Sequence, residues 1–254
     1  MIRAALFLLL ALSGAPAVAE EVVMGLSKSS VSISTDFDGS EILIFGAVKR
    51  EVAIRPDPPL QVIVTVEGPK EPVTVWRKAR RLGIWVNSEA VEVDSAPTFY
   101  AVATSAPLGE VLSEVEDLRH DISIPRAIRS VGAPMTILDS QSFTNALIRI
   151  RERAGLYHLD EGAVQLREST LFDTAIAMPA NITEGLYMTR VFLTRGGKVV
   201  ASHSTEIDVR KVGLERWLYN LSRSQPLIYG LMSIAIAVLA GWGASAAFRA
   251  LKSG

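Results

Sequence analysis

Apolar residues follow three patterns along this chain. Uninterrupted apolar runs lie near both ends, and alternating apolar and polar positions fill most of the sequence between them. Three stretches instead repeat apolar residues at intervals of three and four. Because alternation is typical of half-buried strands and the three-to-four interval of amphipathic helices, the pattern predicts a mainly β (α+β) protein interrupted by helices.

The C-terminal apolar run covers residues 227–248 and contains no charged side chain. A helix of this length, at about 1.5 Å per residue, spans about 33 Å, which matches the hydrocarbon core of a bilayer. We therefore predict one transmembrane helix over residues 226–248, followed by a cytoplasmic tail at residues 249–254. Arg249 and Lys252 in that tail agree with the excess of bases found on the cytoplasmic side.

Small residues recur every fourth position along this predicted span, at Ser233, Ala237, Gly241 and Ser245. Such a ridge lets a second membrane helix approach closely. It predicts contact with a membrane partner, and an anchor that faces only lipid is the alternative.

The N-terminal run has the three parts of a secretory signal peptide. Arg3 precedes an apolar stretch at residues 4–12, and Ala17-Val18-Ala19 supplies small residues for cleavage after Ala19. The stretch is too short to span a bilayer permanently. We predict a signal peptide at residues 1–19, with an uncleaved N-terminal anchor as the alternative. Export would place the domain in the periplasm and the protein in a bacterial inner membrane.

Two β-rich parts flank a helical insertion. In the first part, Val62, Val64 and Val66 alternate with polar residues, and several similar short runs follow. Their number and spacing predict an immunoglobulin-like antiparallel β-sandwich. In the second part, the turn Arg195-Gly196-Gly197-Lys198 predicts a hairpin. Odd-numbered residues from 199 to 209, His203 among them, are expected to face inward. The predicted boundaries are residues 20–106, 107–155 and 156–211.

The insertion contains two predicted helices. The first has one apolar stripe, formed by Leu108, Val111, Leu112, Val115 and Leu118. The second begins at Ser140 and continues to Ala154, with a stripe of Phe143, Leu147, Ile150 and Ala154.

A further amphipathic segment, residues 212–225, directly precedes the predicted span. Leu214, Trp217, Leu218 and Leu221 repeat at helical spacing. This pattern favours a helix lying in the membrane interface, and a final helix packed on a core is the alternative.

Composition excludes several function classes. The 254 residues include no cysteine, which excludes disulfides, thiolate metal sites and cysteine nucleophiles. Residues 20–226 carry 23 bases and 27 acids, an excess of acids that argues against nucleic acid as a partner. An exported chain without disulfides is more typical of bacteria than of small secreted eukaryotic domains.

The most unusual surface segment lies between two tryptophans, Trp76 and Trp85. Four of the five residues from 77 to 81 are basic: Arg77, Lys78, Arg80 and Arg81. Guanidinium and ammonium groups bind anions by charge-assisted hydrogen bonds, so the segment predicts a site for a lipid headgroup, a wall polymer or a small oxyanion. The alternative is a solvated hairpin tip with the tryptophans packed below it.

The three histidines do not form a recognisable catalytic or metal motif. His120 and His158 stand near acids, but neither shows the paired spacing of a zinc hydrolase. His203 lies in an alternating strand pattern and is interpreted as a core or strand residue. We predict no metal, no cofactor and no catalytic residue.

Three passages together carry a family resemblance: MGLSKSSVSISTDFDGSEILIFGAV, VWRKARRLGIWVN and ITEGLYMTRVFLTRGGKVV. With the single C-terminal span, they resemble the putative transmembrane protein family described mainly from alphaproteobacteria, whose function is unassigned. The resemblance implies a periplasmic domain on an inner-membrane anchor. Genes of this family neighbour a sulfite-exporter-like permease, which implies an inner-membrane partner.

The leading hypothesis is a non-enzymatic, single-pass inner-membrane protein with a periplasmic binding domain, serving as an accessory subunit of a transporter. One alternative is a tethered periplasmic enzyme, which would gather a histidine and an acid in one pocket. Another is an envelope structural protein that binds wall polymer.

Overall fold

The structure is a computed structural model that describes residues 21–34, 37–50, 57–129, 139–211 and 214–252. The predicted signal peptide and its cleavage site lie outside these residues. The chain divides into two compact units: a β-rich unit within residues 1–31 and 38–209, and a smaller unit of residues 32–37 and 210–254.

The described residues form twelve strands and six helices. The strands are β1 (Glu21–Leu26), β2 (Ser30–Ile33), β3 (Gly39–Lys49), β4 (Leu60–Glu67), β5 (Lys70–Arg81), β6 (Ile84–Pro97), β7 (Tyr100–Thr104), β8 (Tyr157–Asp160), β9 (Gln165–Arg167), β10 (Leu171–Pro179), β11 (Gly185–Arg195) and β12 (Lys198–Lys211). The helices are α1 (Leu108–Val111), α2 (Glu114–His120), α3 (Ile124–Ala127), α4 (Ser140–Arg153), α5 (Leu214–Ser224) and α6 (Pro226–Lys252).

The strands build three sheets. A four-stranded sheet has the order β1-β3-β10-β9, a six-stranded sheet has the order β2-β12-β11-β4-β7-β8, and β5 and β6 form a two-stranded hairpin. This confirms the mainly β fold class with antiparallel sheets. One pair departs from it, because β7 and β8 run parallel, with Tyr100 opposite Tyr157.

Strands from before and after the helical insertion pair with each other. Strand β3 pairs with β10, and β4 pairs with β11, each along most of its length. The predicted first and second β parts therefore share both large sheets.

The centre of the six-stranded sheet is covered on both faces. Every residue from Val62 to Val66 in β4 and from Tyr100 to Thr104 in β7 is buried. Residues of β10 contact β7 on one side, while α1 contacts β4 and α3 contacts β7. Strands buried on both faces read as continuous apolar runs, which explains the sequence of β7.

The hairpin β11–β12 is confirmed at the predicted turn. Gly196 and Gly197 have φ angles of +54° and +76°, which glycine adopts without the steric penalty of a Cβ atom.

The prediction that the odd-numbered residues of β12 face inward was only partly right. Ile207 and Val209 are buried, whereas His203 is exposed. The sheet neighbour on the other side of β12 is β2, which has only four residues, so much of β12 forms the edge of the sheet.

The predicted first helix is wrong as a single element. Its region folds as the short helices α1, α2 and α3, because Leu112 has an extended conformation with φ −138°. Ser113 then caps α2 by accepting a hydrogen bond from the amide of Glu116. The break resets the helical register, so Val115 and Leu118 are exposed and Glu116 is buried instead.

The predicted second helix is confirmed as α4, but its buried stripe is rotated. Phe143, Thr144 and Leu147 are buried, whereas Ile150 is exposed. Arg151 reaches the domain in its place and donates a hydrogen bond of 3.3 Å to the carbonyl of Thr98. The face of α4 that meets the domain thus includes the long side chain of Arg151, whereas the apolar pattern had predicted Ile150 there.

In the smaller unit, helix α5 ends at Ser224 and helix α6 begins at Pro226. Proline suits the first position of a helix because its missing N–H would have no intrahelical acceptor there. Helix α6 is the single candidate membrane span among the described residues, by length and composition, over Pro226–Ser245.

Candidate interaction surfaces

The basic segment forms the end of the long β5–β6 hairpin. Strand β5 pairs antiparallel with β6 from Lys70 opposite Pro97 to Arg81 opposite Ile84, with register shifts between Glu71 and Val73 and between Arg77 and Lys78. Leu82 and Gly83 make the turn with φ angles of +50° and +87°. We call residues 78–87 the hairpin tip.

One face of the hairpin carries aromatic and basic side chains together. Trp76, Lys78 and Arg80 alternate along β5, and Trp85 lies opposite Arg80, so all four project from the same face. Each of them is exposed. The alternative in which the tryptophans pack below the tip is therefore wrong, because their face of the hairpin is uncovered by the described residues.

Arg77 has a different environment from the other three bases. Its guanidinium donates to Glu89 at 2.9 Å, to Asp139 at 3.0 Å and to Ser142 at 2.6 Å. It also lies 4.5 Å from the ring centroid of Phe143. The hydrogen bond from Ser142 and the charge of Arg77 lower the pKa of Asp139. Arg77 therefore joins the hairpin to the first turn of α4 and differs from Lys78, Arg80 and Arg81, which form no ion pair with the described residues.

The outer face of the four-stranded sheet is a surface that the sequence reasoning missed. Val23, Leu43, Phe45 and Leu171 lie on this face, and all four are exposed. A Cβ at Gly25 would come within 2.8 Å of the Phe45 ring, so the ring lies against the glycine. We call these four residues the apolar sheet face.

A sequence signal for this face was present in the run ILIFGAV, residues 42–48. Consecutive residues of a strand point to opposite faces. A strand that is apolar at every position must therefore present apolar side chains on both sides. Ile42 and Ile44 enter the core, which leaves Leu43 and Phe45 outside.

The three histidines lie on three separate elements. His120 on α2 stands 3.5 Å from the carboxylate of Glu116, and His158 on β8 stands 3.4 Å from Asp160. His203 lies on β12, opposite Val191. Among the described residues no group of three or more histidine, aspartate or glutamate side chains could hold a metal ion.

A groove of about 490 Å³ opens beside the short helices. Its polar lining includes Asp117, Ser123 and Arg126, and none of the histidines contributes to it. Asp117 is already engaged, since it accepts hydrogen bonds from the amides of Ile122 and Ser123. One of the two carboxylates that line the groove, Asp117, thus holds the turn after α2, and the other is Glu114.

Arg190 on β11 holds the end of α2 against the six-stranded sheet. Its guanidinium donates to the carbonyl oxygens of His120 at 2.8 Å and Asp121 at 3.0 Å. These are carbonyls at a helix C-terminus, where cations are favoured. The Tyr100 hydroxyl donates to the carbonyl of Ile122 at 2.9 Å, and burial raises the pKa of Tyr100 above its ordinary range. The end of α2 is thus attached to the six-stranded sheet by hydrogen bonds as well as by packing.

In the smaller unit, the residues of the predicted small-residue ridge are exposed on α6: Ser233, Ala237, Gly241 and Ser245. The hydroxyl of Ser233 donates to the carbonyl of Tyr229 at 2.9 Å within the helix. A Cβ at Gly241 would meet no atom within 4 Å. In α5, Trp217 is exposed, as expected of a residue available to an interface.

A family model described as "Putative transmembrane protein (Alph_Pro_TM)" matches residues 21–250 and confirms the resemblance. No curated protein matches the chain. Among solved structures, the chain is similar to the crystal structure of Spo0M, a sporulation control protein from Bacillus subtilis, with 11% sequence identity and a TM-score of 0.28. The similarity covers 80% of this chain and 55% of that one, so the chain spans about half the length of Spo0M. A TM-score of this size does not establish a shared fold.

Proposed function

The chain belongs to the putative transmembrane protein family, and we propose that it is a single-pass inner-membrane protein whose β-rich unit binds a protein partner. In this proposal the β-rich unit lies in the periplasm and the C-terminal tail in the cytoplasm. The signal-peptide pattern of residues 1–19 and the apolar helix α6 support this orientation.

The apolar sheet face is the observation that carries the binding proposal. An antiparallel sheet with one solvated face normally presents polar side chains there. Here Val23, Leu43, Phe45 and Leu171 are exposed on neighbouring strands instead. Ala175 lies opposite Leu43, and Asp173 lies opposite Phe45 and pairs with Arg167 at 3.2 Å. The exposed apolar side chains thus flank one ion pair, and clusters of exposed apolar side chains mark interaction sites.

We propose that the partner is another inner-membrane protein and that the chain is its accessory subunit. A partner in the same membrane could be contacted twice, at the apolar sheet face and along the small-residue ridge of α6. Two tethered contacts reinforce each other through effective concentration. The permease resembling sulfite exporters, implied by the family resemblance, is the first candidate.

The role is proposed to be non-catalytic. A catalytic site needs a base, its orienting group and a reacting position within hydrogen-bond reach of one another. His120 contacts Glu116 of its own helix and His158 contacts Asp160 of its own strand, and no histidine lines the groove beside the short helices. In the described part of the chain, these local pairings support a binding role over a tethered enzyme.

Orientation can be tested directly because the chain contains no cysteine. Single cysteines at exposed Leu186 in the β-rich unit and at Ser253 in the tail would be treated with a membrane-impermeant maleimide in spheroplasts. We expect labelling at position 186 only. Labelling of position 253 in intact spheroplasts would overturn the orientation.

Partner binding is tested by photo-crosslinking in the membrane of the native cell. A benzophenone amino acid replaces Leu43, and the matched control carries it at Leu186, which is also an exposed strand leucine but belongs to the six-stranded sheet. We expect a discrete membrane-protein adduct at position 43, its loss when Phe45→Asp is added, and no such adduct at position 186. Equal adducts at both positions, or none at position 43, would contradict the proposal.

A further inference from the structure

The hairpin tip presents apolar side chains that the folded unit does not use. Leu82 is fully exposed, and Ile84, Trp85 and, just before the tip, Trp76 are each more than half exposed. Solvent exposure of four large apolar side chains in one short segment is unfavourable unless another surface covers them. Covering these side chains with a second surface would therefore remove their unfavourable free energy of hydration.

The backbone conformation at the tip is also energetically unfavourable. Leu82 adopts a left-handed conformation with φ +50°, where a turn of this kind favours asparagine, aspartate or glycine. A leucine there is strained and makes no contribution to the core. Strain at an exposed residue points to a role in binding.

Charge on the tip is of one sign. Between Lys78 and Ser88 the sequence has three bases, Lys78, Arg80 and Arg81, and no acid. None of the three forms an ion pair with an acidic side chain in the described part of the chain. The neighbouring base, Arg77, is neutralised by Glu89 and Asp139. A ligand for this tip is therefore anionic.

The tip also projects from the folded unit on a hairpin that is fixed to α4 near its base. Arg77 fixes the hairpin to Asp139 and Ser142 on α4. Val75 is the last buried residue of β5, and from there to Arg81 the strand extends by about 20 Å. The bases and apolar residues at its end can thus reach a surface beyond the unit without unfolding it.

We propose that the hairpin tip inserts into the headgroup region of an anionic phospholipid bilayer. Lysine and arginine with indole rings and aliphatic side chains on one short element match the layered interface, where phosphates lie above the first methylenes. A small oxyanion would use the bases but leave Leu82 and Ile84 in water. A wall polymer offers no apolar layer for them. The bilayer satisfies both sets of side chains at once.

The test uses the full-length protein in nanodiscs, with one cysteine introduced at Leu82 and labelled with bimane. The probe membranes are phosphatidylcholine alone and phosphatidylcholine with 30% phosphatidylglycerol, each containing a brominated lipid as quencher. Quencher-bearing vesicles of the same compositions are added in a second arm, so that contact with a separate membrane is also detected. We expect quenching in the anionic membranes, weakening as salt is added.

Charge reversal supplies the specific variant. Lys78→Glu, Arg80→Glu and Arg81→Glu together should weaken partitioning into the anionic membrane at least roughly 100-fold, because loss of the three bases alone accounts for that factor and the glutamates add repulsion. The matched control reverses three exposed bases elsewhere, Arg149, Arg153 and Lys198, and should retain quenching. Far-ultraviolet circular dichroism confirms that each variant is folded.

Three results would overturn lipid insertion: no quenching in anionic membranes, equal quenching in the tip variant and wild type, or equal quenching in both lipid compositions. Protection of the label only after a protein is added would assign the tip to a protein partner and would equally overturn it. Lipid contact at the tip is independent of the apolar sheet face, so crosslinking at Leu43 continues to test the proposed function separately.

Discussion

The two large sheets of the β-rich unit differ in what covers their outer faces. The six-stranded sheet lies beneath α1 and α3, and Arg190 and Tyr100 hold the chain at the end of α2 by hydrogen bonds. The four-stranded sheet presents Leu43 and Phe45 to solvent on its corresponding face. Both sheets carry apolar side chains on their outer faces, but among the described residues of the β-rich unit only the six-stranded sheet is covered by helices. This comparison is the reason for proposing a partner at the four-stranded sheet.

The strongest test compares two neighbouring residues of β3. Ile44 is completely buried and Phe45 is 44% exposed. We expect Ile44→Ala to lower the free energy of unfolding by about 2–4 kcal/mol through lost packing and the cavity left behind. Phe45→Ala should cost less than about 1 kcal/mol, yet abolish the adduct formed from position 43. Chemical denaturation of the full chain in detergent measures the free energy of unfolding of both variants. Similar decreases for the two variants would show that Phe45 stabilises the fold.

A second prediction concerns the covered sheet. Arg190→Met removes the charge-assisted bonds to the carbonyls of His120 and Asp121 and should cost about 2 kcal/mol. Amide hydrogen exchange should accelerate in Glu114–His120 and Ile124–Ala127 and stay unchanged in β3. The exposed Arg149 on α4 provides the control, because Arg149→Met should alter neither. Uniform acceleration across both sheets would break the distinction between them.

The smallest effect is expected in alkali. All three tyrosines of the β-rich unit, Tyr100, Tyr157 and Tyr187, belong to the six-stranded sheet, and burial raises the pKa of Tyr187 to about 12. An unfolded tyrosine ionises near pH 10, so the stability present below about pH 10 is lost as the pH rises toward 12. Tyrosinate absorbance should rise together with the loss of circular dichroism. Tyr187→Phe should unfold at higher pH, and tyrosinate formation without unfolding would contradict the role of burial.

Local patterns predicted the elements of this protein better than their packing. The glycine pair at Gly196 and Gly197 specified its own turn, because few other residues adopt that conformation cheaply. Periodicity located α4 and two of its buried residues, Phe143 and Leu147, but wrongly included Ile150, and it joined α1 and α2 into one helix. The break at Leu112 depends on tertiary contacts, such as the hydrogen bond from the Ser113 amide to Gly197, which no local pattern contains.

For the candidate surfaces too, local sequence located the segment, and tertiary contacts decided the environment of its residues. Composition located the basic segment between Trp76 and Trp85, but nothing in the sequence distinguished Arg77 from Lys78, Arg80 and Arg81. The structure separates them, since only Arg77 meets Asp139, a residue 62 positions later. The apolar sheet face was missed because strand patterns were taken to have one buried face. Whether a second apolar face is covered depends on which other elements reach it.

The sequence by itself determined the membrane span, the mainly β composition, the turns built on glycine and the family, because each depends on residues close together in the chain or on overall composition. Tertiary structure alone decided which apolar faces are covered by the described residues and which of four neighbouring bases, Arg77, is paired with acids. Those outcomes depend on contacts between residues far apart in sequence, where a short break in one helix or an arginine on a distant strand changes what remains exposed.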